Sequence, residues 1–334
     1  MNAGFQAGAP AGDHRTKDLI ATVSSIANSL MGEVSKVIIG KNENLRRVTV
    51  GILSNGNMLL EDFPGLAKTL LANTFAQALG CKFKRVQFTP DLLPSDIMGT
   101  YMYDQKTGEF KLRAGPLFSN VLLADEINRA PPKTQAALLE AMEEKQVTID
   151  GITHKLPAPF VVIATQNPIE QEGTYPLPEA QMDRFLMKMS MGYPDRAEEK
   201  AILARRKLRG KDQHDVEQIT SPKKVVAMQK ALETVHVDPA ILSYIVEIVQ
   251  RTREDHRVVN GASPRASQAL FKSGRAAAID GRDYVIPDDI KGIALQIISH
   301  RINMKPEAKI RGITGMHIVR KILSEVPVPV IQQG

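Results

Sequence analysis

The stretch that decides the fold is NMLLEDFPGLAKT, residues 57–69. Its apolar beginning is typical of a buried strand, and a helical pattern from Leu70 to Leu79 follows Lys68 and Thr69 directly. A strand, a tight loop and a helix that opens with Lys-Thr can wrap backbone N–H groups around a polyphosphate. The stretch therefore predicts a phosphate-binding loop, in which Lys68 faces the outer phosphates and Thr69 holds Mg²⁺; its members are Pro64, Gly65, Leu66, Ala67, Lys68, Thr69 and Leu70.

Two positions of this loop depart from the pattern G-x-x-x-x-G-K-[ST]. Asp62 stands at the first glycine and Ala67 at the second. Glycine at these points permits positive φ and a close approach of the backbone to phosphate. On the pattern alone, a β-turn at Pro64-Gly65 followed by a surface lysine stays open beside the phosphate loop.

Polar side chains follow two further apolar runs. The run 121–124 ends in Asp125 and Glu126, and the run 160–164 is followed by Asn167. Open α/β sheets bind ligands at the carboxyl ends of their strands. There Asp125 can hold Mg²⁺, and Glu126 can orient or deprotonate the attacking water. Asn167 can hold that water if its strand lies between those of Lys68 and Asp125; a solvated acidic strand end and a turn-forming Asn are the alternatives.

The chain divides near Tyr193. Before it, five short apolar runs alternate with helical patterns: 57–60, 83–88, 121–124, 160–164 and 186–189. Buried strands separated by helices indicate a parallel sheet covered on both faces. Beyond Tyr193 helical patterns dominate, at 196–208, 222–234, 239–253, 264–279 and 287–302. We therefore expect a disordered tail over 1–18, an α/β nucleotide-binding core over 19–193 and a helical domain over 194–334.

Composition limits the class of protein. The chain has 334 residues and one cysteine, Cys81, so it can form no internal disulfide. No apolar run approaches the ~20 residues that a membrane helix needs, and no secretory leader is apparent at the start. We expect a cytoplasmic protein without membrane insertion.

Charge is distributed unevenly along the chain. Residues 1–193 carry 19 Lys+Arg against 20 Asp+Glu, whereas 194–334 carry 24 against 17. A solvated basic face is the usual reason for such a surplus, and nucleic acid or an acidic partner is the alternative. Because aromatic residues make up only 5% and Trp is absent, stacking platforms for single strands are few and nucleic acid is not the expected partner.

Two arginines stand at positions from which the guanidinium group could contact a phosphate. Arg184 ends a short helical segment before the last apolar run and could serve a neighbouring subunit. Arg265 lies in the first turn of a helix, where a cation costs ~0.3–1 kcal/mol unless an anion is near. The alternatives are a local ion pair with Asp183 and a solvated side chain.

With these residues in view, the chain resembles the AAA+ ATPases, and within them the MoxR family of the clade that carries an insertion in the second helix. The resemblance covers nearly the whole chain after the tail. It rests on VIIGK (37–41), FTPDLLPSDI (88–97), GPLF (115–118), LADEINRA (123–130), ATQNP (164–168) and LPEAQMDRF (177–185).

The resemblance implies an α/β fold, an AAA+ P-loop NTPase core with a five-stranded parallel sheet, followed by an all-α C-terminal lid domain. It also implies a role for each of several side chains: Walker A for Lys68 and Thr69, Walker B for Asp125 and Glu126, sensor 1 for Asn167, an arginine finger acting in trans for Arg184 and sensor 2 for Arg265. Gly40, in the segment 37–41, would line the adenine.

Cofactors and partners follow from the same resemblance. ATP and Mg²⁺ would lie between the core and the lid, and an arginine supplied in trans implies a ring, with a hexamer as the expected form. The chain lacks an Asn-Lys-x-Asp guanine reader, which favours ATP over GTP. A partner bearing a von Willebrand factor A domain and a client protein are implied. Two hairpins, at 101–112 and 146–153, are candidates for pore or substrate contact; the second has the Asp-Gly turn signal.

The sequence thus predicts an ATP-hydrolysing protein that remodels or activates client complexes. Two alternatives remain open at this point. One is a nucleotide-gated binding module with little hydrolysis, and the other is a motor that nucleic acid stimulates through the basic lid.

Overall fold

The computed structural model describes residues 14–167 and 173–330. Its helices are α1 (His14–Ser35), α2 (Asn42–Leu53), α3 (Lys68–Ala78), α4 (Pro94–Met98), α5 (Pro132–Glu144), α6 (Glu179–Met182), α7 (Arg196–Arg209), α8 (Pro222–Leu232), α9 (Pro239–Glu254), α10 (Pro264–Ala277), α11 (Pro287–Ile298), α12 (Pro306–Ile310) and α13 (Gly315–Glu325). Its strands are β1 (Met58–Glu61), β2 (Phe83–Gln87), β3 (Gly99–Asp104), β4 (Glu109–Ala114), β5 (Val121–Asp125), β6 (Gln146–Ile149), β7 (Ile152–Lys155), β8 (Val161–Gln166), β9 (Met187–Met189), β10 (Val258–Asn260) and β11 (Asn303–Met304).

Five parallel strands form the central sheet in the order β2-β5-β8-β1-β9. Side chains alternate between its faces, so that Met58 and Leu60 enter one apolar core and Leu59 enters the other. The predicted parallel sheet is confirmed. Because β8 lies between β1 and β5, the loops that follow these three strands are neighbours at one edge of the sheet.

The edge strand β2 differs from the prediction of five buried strands. Lys84, Arg85 and Gln87 are exposed, and only Val86 is buried on this strand. The prediction is wrong here because β2 has a neighbour on one side alone, which leaves its polar residues facing solvent and the end of β5.

The helical part beyond residue 193 packs on one face of the sheet. Buried side chains of α8 to α11 share an apolar core with those of α1, α2 and α3. The lid is helical except for the short antiparallel pair β10-β11, which the sequence pattern does not predict because each strand has only two or three residues. No helix in the described ranges is long and apolar enough to cross a membrane.

The N-terminal helix starts earlier than predicted. α1 begins at His14, so residues 14–18 are helical and the predicted tail over 1–18 is too long by these five positions. Residues 1–13 lie outside the described part of the chain. The apolar stripe of α1 is buried, with Ile20, Val23 and Leu30 each at most 2% exposed. The helical spacing of these apolar residues therefore predicts the face of α1 that packs against the core.

Both predicted hairpins are present. β3 pairs with β4, and β6 pairs with β7, each antiparallel. The two hairpins touch through the Tyr101 hydroxyl, which lies 3.1 Å from His154 Nε2. The first hairpin carries exposed apolar side chains, with Tyr103 57% and Phe110 69% exposed.

Candidate nucleotide site

The phosphate loop joins β1 to α3 with a backbone suited to anions. Gly65 has φ +84° and Ala67 has φ +55°, and the first turn of α3 begins at Lys68. Left-handed residues that precede a helix turn successive N–H groups toward one point. The Lys68 ammonium donates to the backbone oxygen of Asp62 at 2.7 Å, across the loop.

Asp62 stands at the first glycine of the pattern, and its side chain makes contacts with a distant part of the chain. Its side chain is only 4% exposed. It accepts hydrogen bonds from the Ser190 hydroxyl at 2.5 Å, the Met191 amide at 2.6 Å and the Gly192 amide at 3.2 Å. Asp62 therefore ties the phosphate loop to the linker between β9 and α7, which no local pattern could indicate.

The loop opens onto a cleft of about 430 Å³ at the carboxyl edge of the sheet. The predicted phosphate loop, both acidic residues and Asn167 meet here, as the strand order requires. The lining residues are Pro64, Gly65, Leu66, Ala67, Lys68, Thr69, Leu70, Arg85, Gln87, Asp125, Glu126 and Asn167. Every one of them belongs to the core, so the lid contributes no lining residue among those the structure describes.

Asp125 is held by two partners. Its Oδ1 accepts from the Thr165 hydroxyl at 2.6 Å, and its Oδ2 lies 2.7 Å from the Arg85 guanidinium. The carboxylate is 14% exposed. A guanidinium therefore neutralises Asp125 at the position where a divalent cation would do so.

Glu126 is positioned by its own backbone and by two side chains. It has φ +56°, and its N–H donates to the Thr165 hydroxyl oxygen at 2.8 Å. Gln87 donates to Glu126 Oε2 at 2.7 Å, and Arg129 lies 3.0 Å from the same oxygen. The carboxylate thus faces the cleft in a fixed orientation.

The donor set fits a magnesium nucleotide. Mg²⁺ prefers oxygen ligands, and it usually takes one or two from protein and the rest from phosphate and water. The Thr69 hydroxyl and the Asp125 carboxylate line one cleft beside the phosphate loop. These two residues would hold the metal, as the sequence predicts.

Arg184 and Arg265 lie in a separate groove. Arg184 Nε is 3.0 Å from Glu143 Oε2, and Arg265 is 2.5 Å from Glu143 Oε1. The groove is lined by residues of both core and lid, and the phosphate loop is not among them. Glu143 is the anion that the position of Arg265 in the first turn of α10 implies.

Asp183 does not pair with Arg184. Its Oδ1 accepts from Arg301 Nε at 2.6 Å, and its Oδ2 accepts from the Ser263 hydroxyl at 2.9 Å. Arg301 is 3% exposed and also donates to the backbone oxygen of Phe185. The local alternative for Arg184 is therefore wrong, because Asp183 is used to join the core to the lid.

Gly40 is not among the residues that line the cleft. With φ +75°, it sits against α7, where an added Cβ would come within 2.0 Å of Glu198 Oε1. The neighbouring Lys41 ammonium is 3.2 Å from Glu198 and donates to the backbone oxygen of Tyr193 at 3.0 Å. The segment 37–41 thus contacts the linker and α7, and its adenine role stays a prediction.

The structure adds two site residues that sequence reasoning missed. Arg85 and Gln87 lie on β2, opposite Leu123 and Asp125 of β5. Their signal was present, because three of the six residues in the run 83–88 are polar, whereas a strand buried on both faces is nearly continuously apolar.

Family models match two parts of this chain. Residues 57–187 match the ATPase family associated with various cellular activities (AAA), and residues 250–322 match the AAA lid domain. The first match contains the phosphate loop, the acidic pair and Asn167, and the second contains Arg265.

Similar proteins cover nearly the full chain. Chaperone MoxR1 of Mycobacterium tuberculosis is 42% identical over 330 residues, which is 95% of this chain and 86% of that protein. The uncharacterized protein YeaC of Bacillus subtilis is 49% identical over 298 residues, 89% of this chain and 93% of that protein. A crystal structure from Cytophaga hutchinsonii superposes with a TM-score of 0.88 at 42% identity and covers 95% of this chain and 98% of its own.

Proposed function

This chain belongs to the MoxR family of AAA+ ATPases, and from that premise we propose that it hydrolyses ATP with Mg²⁺ in order to remodel client proteins. The observation that carries the proposal is the convergence of Lys68, Asp125 and Glu126 on one cleft at the carboxyl edge of the sheet. Among the described residues, those that line the cleft all belong to the core.

Six residues of the cleft would have a task in phosphoryl transfer. Lys68 would exchange the backbone oxygen of Asp62 for the outer phosphates, and Thr69 and Asp125 would hold Mg²⁺. Bound Mg²⁺ would neutralise charge on the phosphate oxygens. Glu126, oriented by Gln87, accepts a proton from the attacking water, and Asn167 positions that water.

We propose that Arg184 and Arg265 both act in trans. They share the carboxylate of Glu143 in a groove remote from their own phosphate loop. A site completed by a neighbour requires head-to-tail contacts, and such contacts close into a ring when the rotation permits. We propose a hexamer. ATP would lie between the core and the lid, as the resemblance implies, and the arginines of a neighbouring subunit would complete the site.

The client and the partner follow from the family. We propose that the protein is cytoplasmic, that it works with a partner carrying a von Willebrand factor A domain, and that the exposed hairpin β3-β4 contacts the client. Support for the last point is the apolar tip, where Met102 is 50% and Phe110 is 69% exposed.

The test measures the rate of ATP hydrolysis as a function of protein concentration, for two complementary variants and for their mixture. Arg184→Ala keeps its own phosphate loop, and Lys68→Ala keeps its arginine, so each supplies what the other lacks. An arginine finger is worth ~10³ to 10⁵ in rate. We expect both variants to be inactive alone and a mixture to recover turnover; Arg311→Ala, at an exposed lid position, serves as the matched control.

Two results would contradict the proposal. Turnover by wild type that does not depend on concentration, down to monomer, would exclude a shared site. Full activity of Arg184→Ala alone would exclude the finger while leaving the phosphate site intact, and loss of nucleotide binding in Lys68→Ala tests that site separately.

A further inference from the structure

A second cavity, of about 320 Å³, lies between the core and the lid. The core side is formed by the end of α2 and by the segment 156–160, which leads into β8. The lid side is formed by α8 and α10. Its lining shares no residue with the nucleotide cleft, and its volume falls within the range of small-molecule sites, roughly 300–1,000 Å³.

Cations outnumber carboxylates around this cavity. The lining includes Lys145, Lys230, Lys272 and Arg275, against the single carboxylate of Glu233. Arg275 pairs with Glu233, whose charge also acts on Lys272, so that one carboxylate faces four cations. A cluster of like charges beside a partly enclosed space is costly unless an anion joins it.

Lys145 is the most desolvated of these cations. Burial lowers the pKa of its ammonium to about 8, and the nearby charge of Lys272 contributes to the shift. The ammonium donates to the backbone oxygen of Phe160 at 3.0 Å. Lys145 has no ion pair among residues 14–167 and 173–330, so its remaining N–H groups are available to a ligand.

Polar atoms without partners line the same cavity. Ser54 is 3% exposed, and its hydroxyl makes no hydrogen bond in the described chain. The same holds for Asn55 Oδ1 and Arg275 Nε. Three unpaired polar atoms at one cavity are unusual, because buried polar groups in folded proteins are normally hydrogen-bonded.

Apolar side chains also line the cavity. Leu156, Pro157 and Pro159 lie on the core side and Leu232 on the lid side, together with the ring of Phe160, over which the Lys145 ammonium lies 5.4 Å from the centroid. A ligand that fits this lining has an acidic group and an apolar body.

We propose that this cavity binds a small organic anion, in which a carboxylate or phosphate group contacts Lys145, Lys272 and the Ser54 hydroxyl while an apolar body packs against residues 156–160. Since the walls come from core and lid, a bound anion links the two domains. The cavity also adjoins the groove of Arg184 and shares Lys145 and Lys272 with it. The site is independent of the nucleotide cleft and does not rest on the proposed ATPase activity.

The test is titration calorimetry with simple probes on the full chain, with ADP and Mg²⁺ present so that the phosphate loop is occupied. Benzoate and phenyl phosphate carry the two acidic groups on one apolar ring, and benzamide is the neutral control. We expect saturable one-to-one binding of at least one anion, with the preferred probe identifying the acid, and no binding of benzamide.

Variants localise the binding. Lys145→Met keeps the apolar stem, and Lys272→Gln changes an exposed residue that the fold does not need; each should weaken binding at least tenfold. Ser54→Ala should weaken it several-fold. Lys224→Met, an exposed position on α8 outside the cavity, removes the same charge and should bind as wild type.

Three results would overturn the proposal. They are failure of both anions to bind wild type, equal binding of benzamide, or wild-type affinity in both Lys145→Met and Lys272→Gln. A circular dichroism melt of each variant shows whether weaker binding reflects the site or the fold.

Discussion

At the scale of single residues, Asp62 shows how a departure from a motif can have a structural cause. Substitution by Ala leaves the hydroxyl of Ser190 and the amides of Met191 and Gly192 without their buried acceptor. Hydrogen bonds to charged groups are worth ~1.5–3 kcal/mol each. We expect Asp62→Ala to lower the free energy of unfolding by at least ~2 kcal/mol, measured by urea denaturation, and to speed amide exchange at positions 191 and 192.

The neighbouring carboxylate provides the control for that experiment. Glu61 pairs with Lys188 at 2.7 Å but is 30% exposed. Glu61→Gln should cost at most ~1 kcal/mol. If Asp62→Ala were equally mild, the tie between loop and linker would not contribute to stability.

Ala67 occupies a left-handed conformation that glycine adopts without cost. A non-glycine residue pays ~1–2 kcal/mol there. We expect Ala67→Gly to raise the free energy of unfolding by ~1 kcal/mol, again by urea denaturation. Ala21→Gly, at an exposed interior position of α1, makes the same chemical change and should instead lower stability by ~1 kcal/mol. Destabilisation by both would mean that φ at position 67 is not positive in solution.

Residues within one local motif were predictable, and residues joined by tertiary contacts were not. Lys68 and Thr69 follow from a strand, loop and helix contiguous in sequence, and Asp125 follows from the end of an apolar run. The link from Asp62 to Met191 spans 129 residues. The use of Asp183 by Arg301 spans 118 residues, so only the folded chain reveals that Arg184 must find another carboxylate.

At the scale of elements, the two hairpins were predictable because turn chemistry is local. Asp150 has φ +49° and Gly151 has φ +81°, as the Asp-Gly signal requires. β10 and β11 escaped prediction since they are short and 40 or more residues apart in sequence. Periodicity identifies long elements, whereas pairing between short ones depends on the packing of the lid.

The apolar tip of β3-β4 yields a prediction about clients. We expect Phe110→Ser to weaken binding of fluorescein-labelled casein, an unfolded probe protein, several-fold in an anisotropy titration, because the side chain is 69% exposed and available for apolar contact. The control is Ile310→Ser, which is 87% exposed on the lid and far from the hairpin in sequence. Equal weakening by both variants would indicate non-specific apolar adhesion.

At the scale of the whole molecule, the position of the lid changes how the site is completed. The lid packs on the face of α1 to α3, and the nucleotide cleft opens at the carboxyl edge of the sheet with core residues alone around it. The family resemblance places ATP between core and lid, and that placement stays a proposal. Arg265 shares Glu143 with Arg184 in a separate groove, and this contact is the observation behind our proposal that both arginines act in trans.

On the proposed mechanism, Glu143 is the group that holds these arginines before assembly. All three side chains are about one-third to one-half exposed, so each ion pair is worth at most ~1 kcal/mol. On the proposed mechanism, a neighbour's phosphate competes with Glu143 for both guanidinium groups. Glu143→Gln removes the competing charge, and we expect the protein concentration at half-maximal ATPase activity to fall by up to roughly tenfold.

The measurement is a titration of ATPase rate against protein concentration, with Glu144→Gln as the control, since Glu144 is the adjacent exposed carboxylate of the same helix. The control should keep the wild-type midpoint. A different result is informative about the role of Glu143: lower activity at every concentration with an unchanged midpoint would mean that Glu143 orients the arginines within the assembled ring. The protein concentration at half-maximal activity therefore distinguishes two roles of Glu143: holding the arginines before assembly, and positioning them after it. Only the first role adds a free-energy cost to the association step.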